Sequence, residues 1–380
     1  MFAPIEPGVP QKLLILYGTR PELIKMAPVI KAARQSGRFE LKTCLTGQHA
    51  ELLDEIAPIF DVTHDYNLRI LETAQSLSSL TASAITGLDR VIGEWRPDWV
   101  LVQGDTTSAM AGALVAFYHR CRIGHVEAGL RTGQIFNPWP EEFNRRATAL
   151  VADRHFAPTE TARANLLKEG VPDAAILVTG NTVIDALLDV VRRIQDDAGL
   201  RERLAAKLPP LDPRRRLILV TGHRRESFGA GFESICRAIA RLAARGDVQI
   251  VYPVHLNPNV QEPVFRLLGG LPAVTLCAPL DYLTFVYLMM QSTLILTDSG
   301  GVQEEAPSLG KPVLVMREAS ERNEAVAAGV AELVGTDADR IVAAATRLLD
   351  DTGGARTVAA NPFGDGHAGA RIVESLIQAP

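Results

Sequence analysis

Short apolar runs, each stopped by a glycine or a polar cluster, recur along the chain. They alternate with longer stretches whose apolar residues return every three or four positions. Lys12–Tyr17, Leu41–Thr46, Trp99–Val102 and Ile123–Val126 are runs of the first kind. Runs this short and this β-branched read as buried strands. The pattern predicts helices from Pro21 to about Ser36, from near Ala50, over Leu68–Glu94 and from Ala109 to about His119. Ala152–Ala157 is a further strand, Thr159–Glu169 a helix closed by Gly170, and Ala175–Val178 a strand. Gly180-Asn181-Thr182 reads as a hinge. A helix over about Val183–Leu204 then leads through the proline- and arginine-rich connector Pro209–Arg216 into a second series. Its strands are Leu217–Val220, Val248–Tyr252, Val274–Leu276, Thr293–Thr297 and Pro312–Met316, with a helix over Phe232–Arg245 and a last one over Ala368–Ile377. Strand–helix alternation implies parallel sheets with helices on both faces. The expectation is an α/β chain of two Rossmann-like domains facing a cleft, residues 11–179 and 180–365.

Composition narrows the class. A chain of 380 residues accommodates two domains, and 47% apolar residues supply their cores. A net charge of −5 argues against a general nucleic-acid binder. No apolar run approaches the roughly 20 residues of a membrane helix, and Met1–Pro10 lacks the pattern of a signal peptide. Cys44, Cys121, Cys236 and Cys277 are widely spaced and sit in or beside apolar segments. They read as free thiols of a cytoplasmic protein.

The chemistry gathers where strands end. Asp105 follows Trp99–Val102 and Gly104, and Glu127 ends Ile123–Val126. A right-handed crossover makes these strands parallel. As neighbours about 4.8 Å apart, they bring both carboxylates to one sheet edge. Ligands of open α/β sheets bind at such carboxyl edges. Two carboxylates there repel, so at least one pKa should rise if the site is dry, and a raised carboxylate can hold or take a proton near neutral pH. Glu141 and Arg145 lie on the proline-rich loop that follows. At the first strand end, Gly18-Thr19-Arg20-Pro21 turns into a helix and forms an anion site by geometry, to which Arg20 and Lys25 add charge. A Gly-x-Gly-x-x-Gly fingerprint is absent, which disfavours a dinucleotide. Gln48 and His49 stand at the second strand end. In the second series, Ser299-Gly300-Gly301 precedes a helix and forms a phosphate cradle. Glu304 or Glu305 beside it suits ribose hydroxyls, and the pairing suggests a nucleoside diphosphate. His223, with Arg224 and Arg225, is placed for anion contact, and His255 is a weaker candidate. The histidines lack zinc-type spacing, so no metal is expected.

Long runs of the chain carry a likeness to a known family. They are Gly18-Thr19-Arg20-Pro21-Glu22, Gln48-His49, Gly104-Asp105-Thr106-Thr107, Gly124 through Gly133, Pro138 through Glu142 with Asn144-Arg145, Gly180-Asn181-Thr182, Gly222 through Glu226, Tyr252 through Pro258, and Thr297 through Gly310. Through these runs the sequence resembles the non-hydrolysing UDP-N-acetylglucosamine 2-epimerases of bacteria, over nearly the whole chain from Lys12. The resemblance implies the GT-B fold, with a C-terminal helix (about 366–380) crossing back to the first domain. It also implies a homodimer and a UDP-sugar held in the interdomain cleft. By motif, Asp105, Glu127 and Glu141 are the implied acid/base carboxylates, supported by Arg145 and His223. Arg20, Lys25, Ser299, Gly300, Gly301, Glu305 and Arg322 are implied to hold UDP, with Phe285 beside the uracil. UDP-N-acetylglucosamine itself is an implied activator at a second site near Gln48 and His49. Leu280 stands where a polar residue is common near the uracil, and Asn323 where proline usually follows the arginine.

The residues suit that chemistry. Inverting carbon 2 of the sugar needs a proton removed from one face and returned to the other. Departure of UDP from carbon 1 makes that hydrogen removable and gives a glycal, to which UDP adds back. No redox cofactor is called for. Several carboxylates are, because one base cannot easily serve both faces, and cationic and backbone donors must retain UDP between the two steps. A glycosyltransferase shares the fold and the cradle but needs an acceptor. A hydrolysing epimerase releases the free sugar. A nucleotide-sugar sensor needs no acid/base carboxylates, whereas Asp105, Glu127 and Glu141 are all present.

Overall fold

A computed structural model describes residues 9–47, 53, 55–71, 75–320, 322–351 and 361–378. The chain divides into two compact units, Met1–Ala186 with Phe363–Pro380, and Leu187–Pro362. The helix Thr182–Asp196 runs across the division.

The first unit is built on seven strands: β1 (Gln11–Tyr17), β2 (Phe39–Leu45), β3 (Tyr66–Asn67), β4 (Trp99–Gln103), β5 (Arg122–Val126), β6 (Arg154–Ala157) and β7 (Ile176–Val178). Their order is β3-β2-β1-β4-β5-β6-β7, and every neighbouring pair is parallel. Leu13 to Tyr17 and Trp99 to Val102 are fully or almost fully buried. That explains why these strands read as unbroken apolar runs: both faces of a parallel sheet are covered. The second unit holds β8 (Arg216–Thr221), β9 (Val248–Pro253), β10 (Val274–Cys277), β11 (Leu294–Thr297), β12 (Val313–Val315) and β13 (Ala331–Leu333). Their order is β10-β9-β8-β11-β12-β13, again all parallel. The α/β class with two parallel sheets is therefore as expected.

In each sheet the order reverses at one place. In the first, successive strands run outward from β1 on one side and from β4 on the other. In the second, the same happens at β8 and β11. These switch points open a crevice at the carboxyl ends of the strands.

The closing helix, Ala368–Gln378, packs on the first helix, Arg20–Ser36. Gly369 permits the approach, since a Cβ there would come within 3.0 Å of the Pro28 carbonyl. The Gly369 N–H donates to Asp185 at 2.8 Å. The C-terminal helix thus returns to the first unit, as the resemblance implied.

Two helix expectations need correction. Leu68 does not begin a helix. Leu68 and Ile70 donate to the carbonyls of Leu45 and Thr46, so the chain continues beside β2. The helix is Leu77–Trp95, started by Ser76, whose hydroxyl accepts from the Ser79 N–H at 3.1 Å. The predicted helix Val183–Leu204 is two, Thr182–Asp196 and Ala198–Lys207. Asp197 is extended and caps the second through the Leu200 N–H; apolar periodicity continued through a residue whose side chain competes for backbone donors. The helix expected from near Ala50, with Gln48 and His49, lies outside the described residues. No helix among the described residues is long and apolar enough to cross a membrane.

Candidate functional site

In the first unit the switch-point edge is dense with ionisable groups. Glu127 follows β5 directly and is held at φ +62°. That left-handed conformation costs a non-glycine residue about 1–3 kcal/mol and is kept only where the surroundings enforce it. Four contacts enforce it here. Lys25 Nζ, from the first helix, reaches both carboxylate oxygens at 2.6 and 2.7 Å. Asn181 Nδ2 donates at 2.9 Å, and Gln103, the last residue of β4, donates to Oε2. Glu127 is buried, its side chain only 5% exposed, and Lys25 is partly buried.

Asp105 sits one strand over, beyond β4. Arg145 grips its Oδ2 through Nε at 2.9 Å and Nη2 at 2.6 Å, while Asn144 Nδ2 donates to its carbonyl. The other end of the Arg145 guanidinium meets Glu142, which is fully buried and also accepts from the Thr132 N–H. Arg145 and Asn144 both stand on the helix Glu141–Val151.

Adjacency of β4 and β5 is as the sequence reading required. The mutual repulsion expected of Asp105 and Glu127 is replaced by separate pairing, since each carboxylate has its own cation. The carboxyl group held near neutrality in this unit is Glu22. Burial pushes its pKa up to about 7, against hydrogen bonds that favour the charged form. Those bonds come from the N–H groups of Gly18 (3.1 Å) and Thr19 (2.8 Å) and from the hydroxyls of Thr19 and Thr106 (both 2.7 Å). The turn expected to cradle an external anion is therefore filled by the chain's own carboxylate. Thr106 caps the helix after Asp105, so Glu22 ties the ends of β1 and β4 together across the switch point. His125, buried in β5, meets the Gly104 carbonyl through Nε2 at 2.7 Å; burial takes its pKa down to about 3 and keeps it neutral.

Glu141 opens its helix, partly buried, with Oε2 lacking a hydrogen-bond partner among the described residues. It is Glu142, one residue on, that engages Arg145. Arg20 is the first residue of its helix and partly buried.

The second unit repeats the theme at its own switch point. His223 follows β8, and Asp298 and Ser299 follow β11. Asp298 is fully buried and accepts from the N–H groups of His223 (2.7 Å) and Arg224 (2.8 Å). The His223 ring stacks on His255 with centroids 5.4 Å apart. Burial lowers the His223 pKa, and Arg224 and His255 act in the same direction, while Asp298 opposes them.

Ser299 precedes the helix Gly300–Glu305. Arg322 lies over it: Nε donates to Glu304 at 2.8 Å, and a Cβ on Gly300 would come within 3.2 Å of the guanidinium carbon. Glu305 instead accepts from the Tyr282 hydroxyl at 3.1 Å. Tyr282 and the half-buried Phe285 share one helix, Tyr282–Gln291. Ser299, Gly300, Gly301, Glu305, Arg322 and Phe285 thus all belong to the second unit.

Sequence reading missed the supports. Gln103 was visible as a polar residue closing an apolar strand, and Asp298 as an acid in the same position. Asn181, in the Gly180-Asn181-Thr182 turn, donates to Glu127. Glu142 gave no signal, since nothing in a sequence says which of two adjacent glutamates turns inward; Glu22 stands three residues after Thr19, the spacing of a capping box. Burial pushes the thiols of Cys44, Cys121 and Cys236 up to about 12, 11 and 12 and also raises that of the half-buried Cys277, away from the thiolate form a nucleophile needs.

The family described as UDP-N-acetylglucosamine 2-epimerase has a sequence profile that matches residues 31–377. The UDP-N-acetylglucosamine 2-epimerase of Escherichia coli O157:H7 is 55% identical over 368 residues, covering 96% of this chain and 98% of its own. Among solved structures, the UDP-GlcNAc 2-epimerase of Neisseria meningitidis bound to UDP-GlcNAc superposes with a TM-score of 0.90 at 45% identity, covering 97% of this chain and 100% of that one. The UDP-GlcNAc 2-epimerase of Methanocaldococcus jannaschii, in complex with UDP-GlcNAc and UDP, does so with a TM-score of 0.79 at 32% identity, covering 97% and 100%.

Proposed function

The chain belongs to the UDP-N-acetylglucosamine 2-epimerase family, and from that premise we propose that it interconverts UDP-N-acetylglucosamine and UDP-N-acetylmannosamine without hydrolysis. The observation that carries this reading is the pair of carboxylates closing adjacent strands, Glu127 on Lys25 and Asp105 on Arg145.

In the forward half-reaction a carboxylate takes the proton from carbon 2. The C2–H electron pair forms the C1=C2 bond, and the C1–O bond breaks toward UDP, which leaves with its electrons. The product is 2-acetamidoglucal. In the return half-reaction the UDP oxygen bonds to carbon 1 while carbon 2 takes a proton on the opposite face. Asp105, Glu127 and Glu141 share these proton transfers. Arg145 holds the Asp105 carboxylate in place. Arg322, with the backbone of Ser299-Gly300-Gly301, stabilises the charge on departing UDP, and His223 supports the proton transfers through Nε2. Glu305 accepts from the ribose, Phe285 lies against the uracil, and Arg20 and Lys25 add positive charge at the phosphates.

Positional isotope exchange tests the elimination. UDP-N-acetylglucosamine carrying ¹⁸O in the C1–O–P bridge should scramble label into the non-bridging β-phosphate oxygens during turnover. Turnover without scrambling would refute cleavage of C1–O. The homodimer and the activating role of UDP-N-acetylglucosamine belong to the same proposal. Sedimentation at the mass of one chain and a hyperbolic dependence of rate on substrate would remove them.

A further inference from the structure

We propose that Asp298 is a positioning residue for His223, holding the proton on Nδ1 so that Nε2 is the ring nitrogen available to the nucleotide sugar. This rests on the assignment of His223 to the reaction.

The two residues face each other across the switch point of the second sheet. His223 stands two residues beyond β8, and Asp298 one residue beyond β11, the strand beside it. Asp298 is fully buried. Its Oδ2 is satisfied by two backbone N–H groups, those of His223 and Arg224. Its Oδ1 is buried with no hydrogen-bond partner among the described residues, and His223 Nδ1 lies 3.3 Å away. A buried carboxylate oxygen left unmade is expensive. Nδ1–H is the group positioned to satisfy it, after a small rotation of the ring. The backbone bonds already fix the loop that carries His223, so the carboxylate locates both the backbone and the imidazole. A histidine whose Nδ1 is held by a carboxylate keeps one tautomer and one ring plane. The stacked ring of His255 limits the remaining freedom. The exposed part of the His223 side chain, 39%, leaves the ring open to a ligand.

The charged groups facing His223 are Asp298, Arg224 and His255. Asp298 is the only one of these that favours the imidazolium, so it also stabilises the charge when Nε2 takes a proton.

Asp298→Asn separates this role from a purely structural one. The amide oxygen can still accept from the His223 and Arg224 N–H groups, which preserves the loop. The amide NH₂ now faces Nδ1 as a donor, which drives the ring proton to Nε2. With ¹⁵N-histidine labelling, and the His223 signal identified by its loss in His223→Gln, the native protein is expected to show Nδ1–H above the ring's titration. Asp298→Asn is expected to show Nε2–H. Its kcat should fall on the order of 10²–10⁴-fold, the scale of a lost general acid or base, with UDP affinity kept. The His223 limb of its pH profile should move to lower pH, because the charge favouring the imidazolium is gone.

An Nε2–H ring in the native protein overturns the proposal. So does an Asp298→Asn variant whose tautomer is unchanged, whether or not it is active. If the native protein lacks epimerase activity, the functional reading fails, while the tautomer measurement still decides the role of Asp298.

Discussion

Removing Lys25 should unfold the first unit early. Lys25→Met keeps the length of the side chain and deletes the ammonium that meets both Glu127 oxygens at 2.6 and 2.7 Å. Glu127 then remains charged in a site where its side chain is 5% exposed. Breaking a buried ion pair from one side costs about 3–5 kcal/mol, because the stranded charge has lost its solvent and its partner. Gln103 and Asn181 still donate to the carboxylate, so the lower end applies, about 3 kcal/mol. For a unit of this size that corresponds to a fall in Tm of roughly 6–12 °C. The chain has three tryptophans, Trp95, Trp99 and Trp139, and all lie in Met1–Ala186. Tryptophan fluorescence during urea unfolding therefore reports this unit alone. The double variant Lys25→Met/Glu127→Gln should regain most of the loss, since no charge is left buried, and the cycle should give a coupling of about 1–3 kcal/mol. A Lys25→Met protein within about 0.5 kcal/mol of the native one, the range of a neutral surface change, would refute the claim that the buried Glu127 depends on Lys25.

Further outcomes follow from the same geometry. The Glu22 carboxyl has its pKa raised to about 7 from the ordinary 4.5, so the folded state binds the extra proton between those values. Its contribution to stability is fully present below about pH 4.5 and is lost as pH rises through about 7, with a slope of at most about 1.4 kcal/mol per pH unit. Fluorescence-detected urea midpoints from pH 5 to 8 should fall with pH in the native protein and flatten in Glu22→Gln; parallel curves would exclude Glu22 as the source. Asp105→Asn, Glu127→Gln and Glu141→Gln should each cut kcat by at least about 100-fold and leave calorimetric UDP affinity little changed, because most of the proposed UDP-holding residues, Ser299, Gly300, Gly301, Glu305, Arg322 and Phe285, lie in the other unit. Near-native turnover in any of them would reduce that residue to a binding or capping role.

The sheets were legible because parallel strands are buried on both faces, and runs such as Leu13–Tyr17 leave little other interpretation. The strand-end residues were legible for a related reason: Asp105, Glu127, His223 and Ser299 follow apolar runs where the chain must turn, and each sheet brings its own turns to one edge. Pairing was not legible. Nothing local to Lys25 or Glu127 announces a contact between residues a hundred positions apart. The inward turn of Glu142 rather than Glu141 depends on how one helix begins after a proline-rich loop. The amides of Gly18-Thr19, read as an anion cradle, donate to Glu22 inside the same motif. Ser76 and Asp197 marked helix starts that apolar periodicity passed over, because a cap is a single side chain and the periodicity is an average over many.

The central claim is proton exchange at carbon 2 without release of the free sugar. Proton NMR of UDP-N-acetylglucosamine turning over in deuterium oxide tests it most directly. The account predicts UDP-N-acetylmannosamine with deuterium at carbon 2, accompanied by traces of UDP and 2-acetamidoglucal in matching amounts. UDP-N-acetylmannosamine retaining protium at carbon 2, or free N-acetylmannosamine as the product, would contradict it.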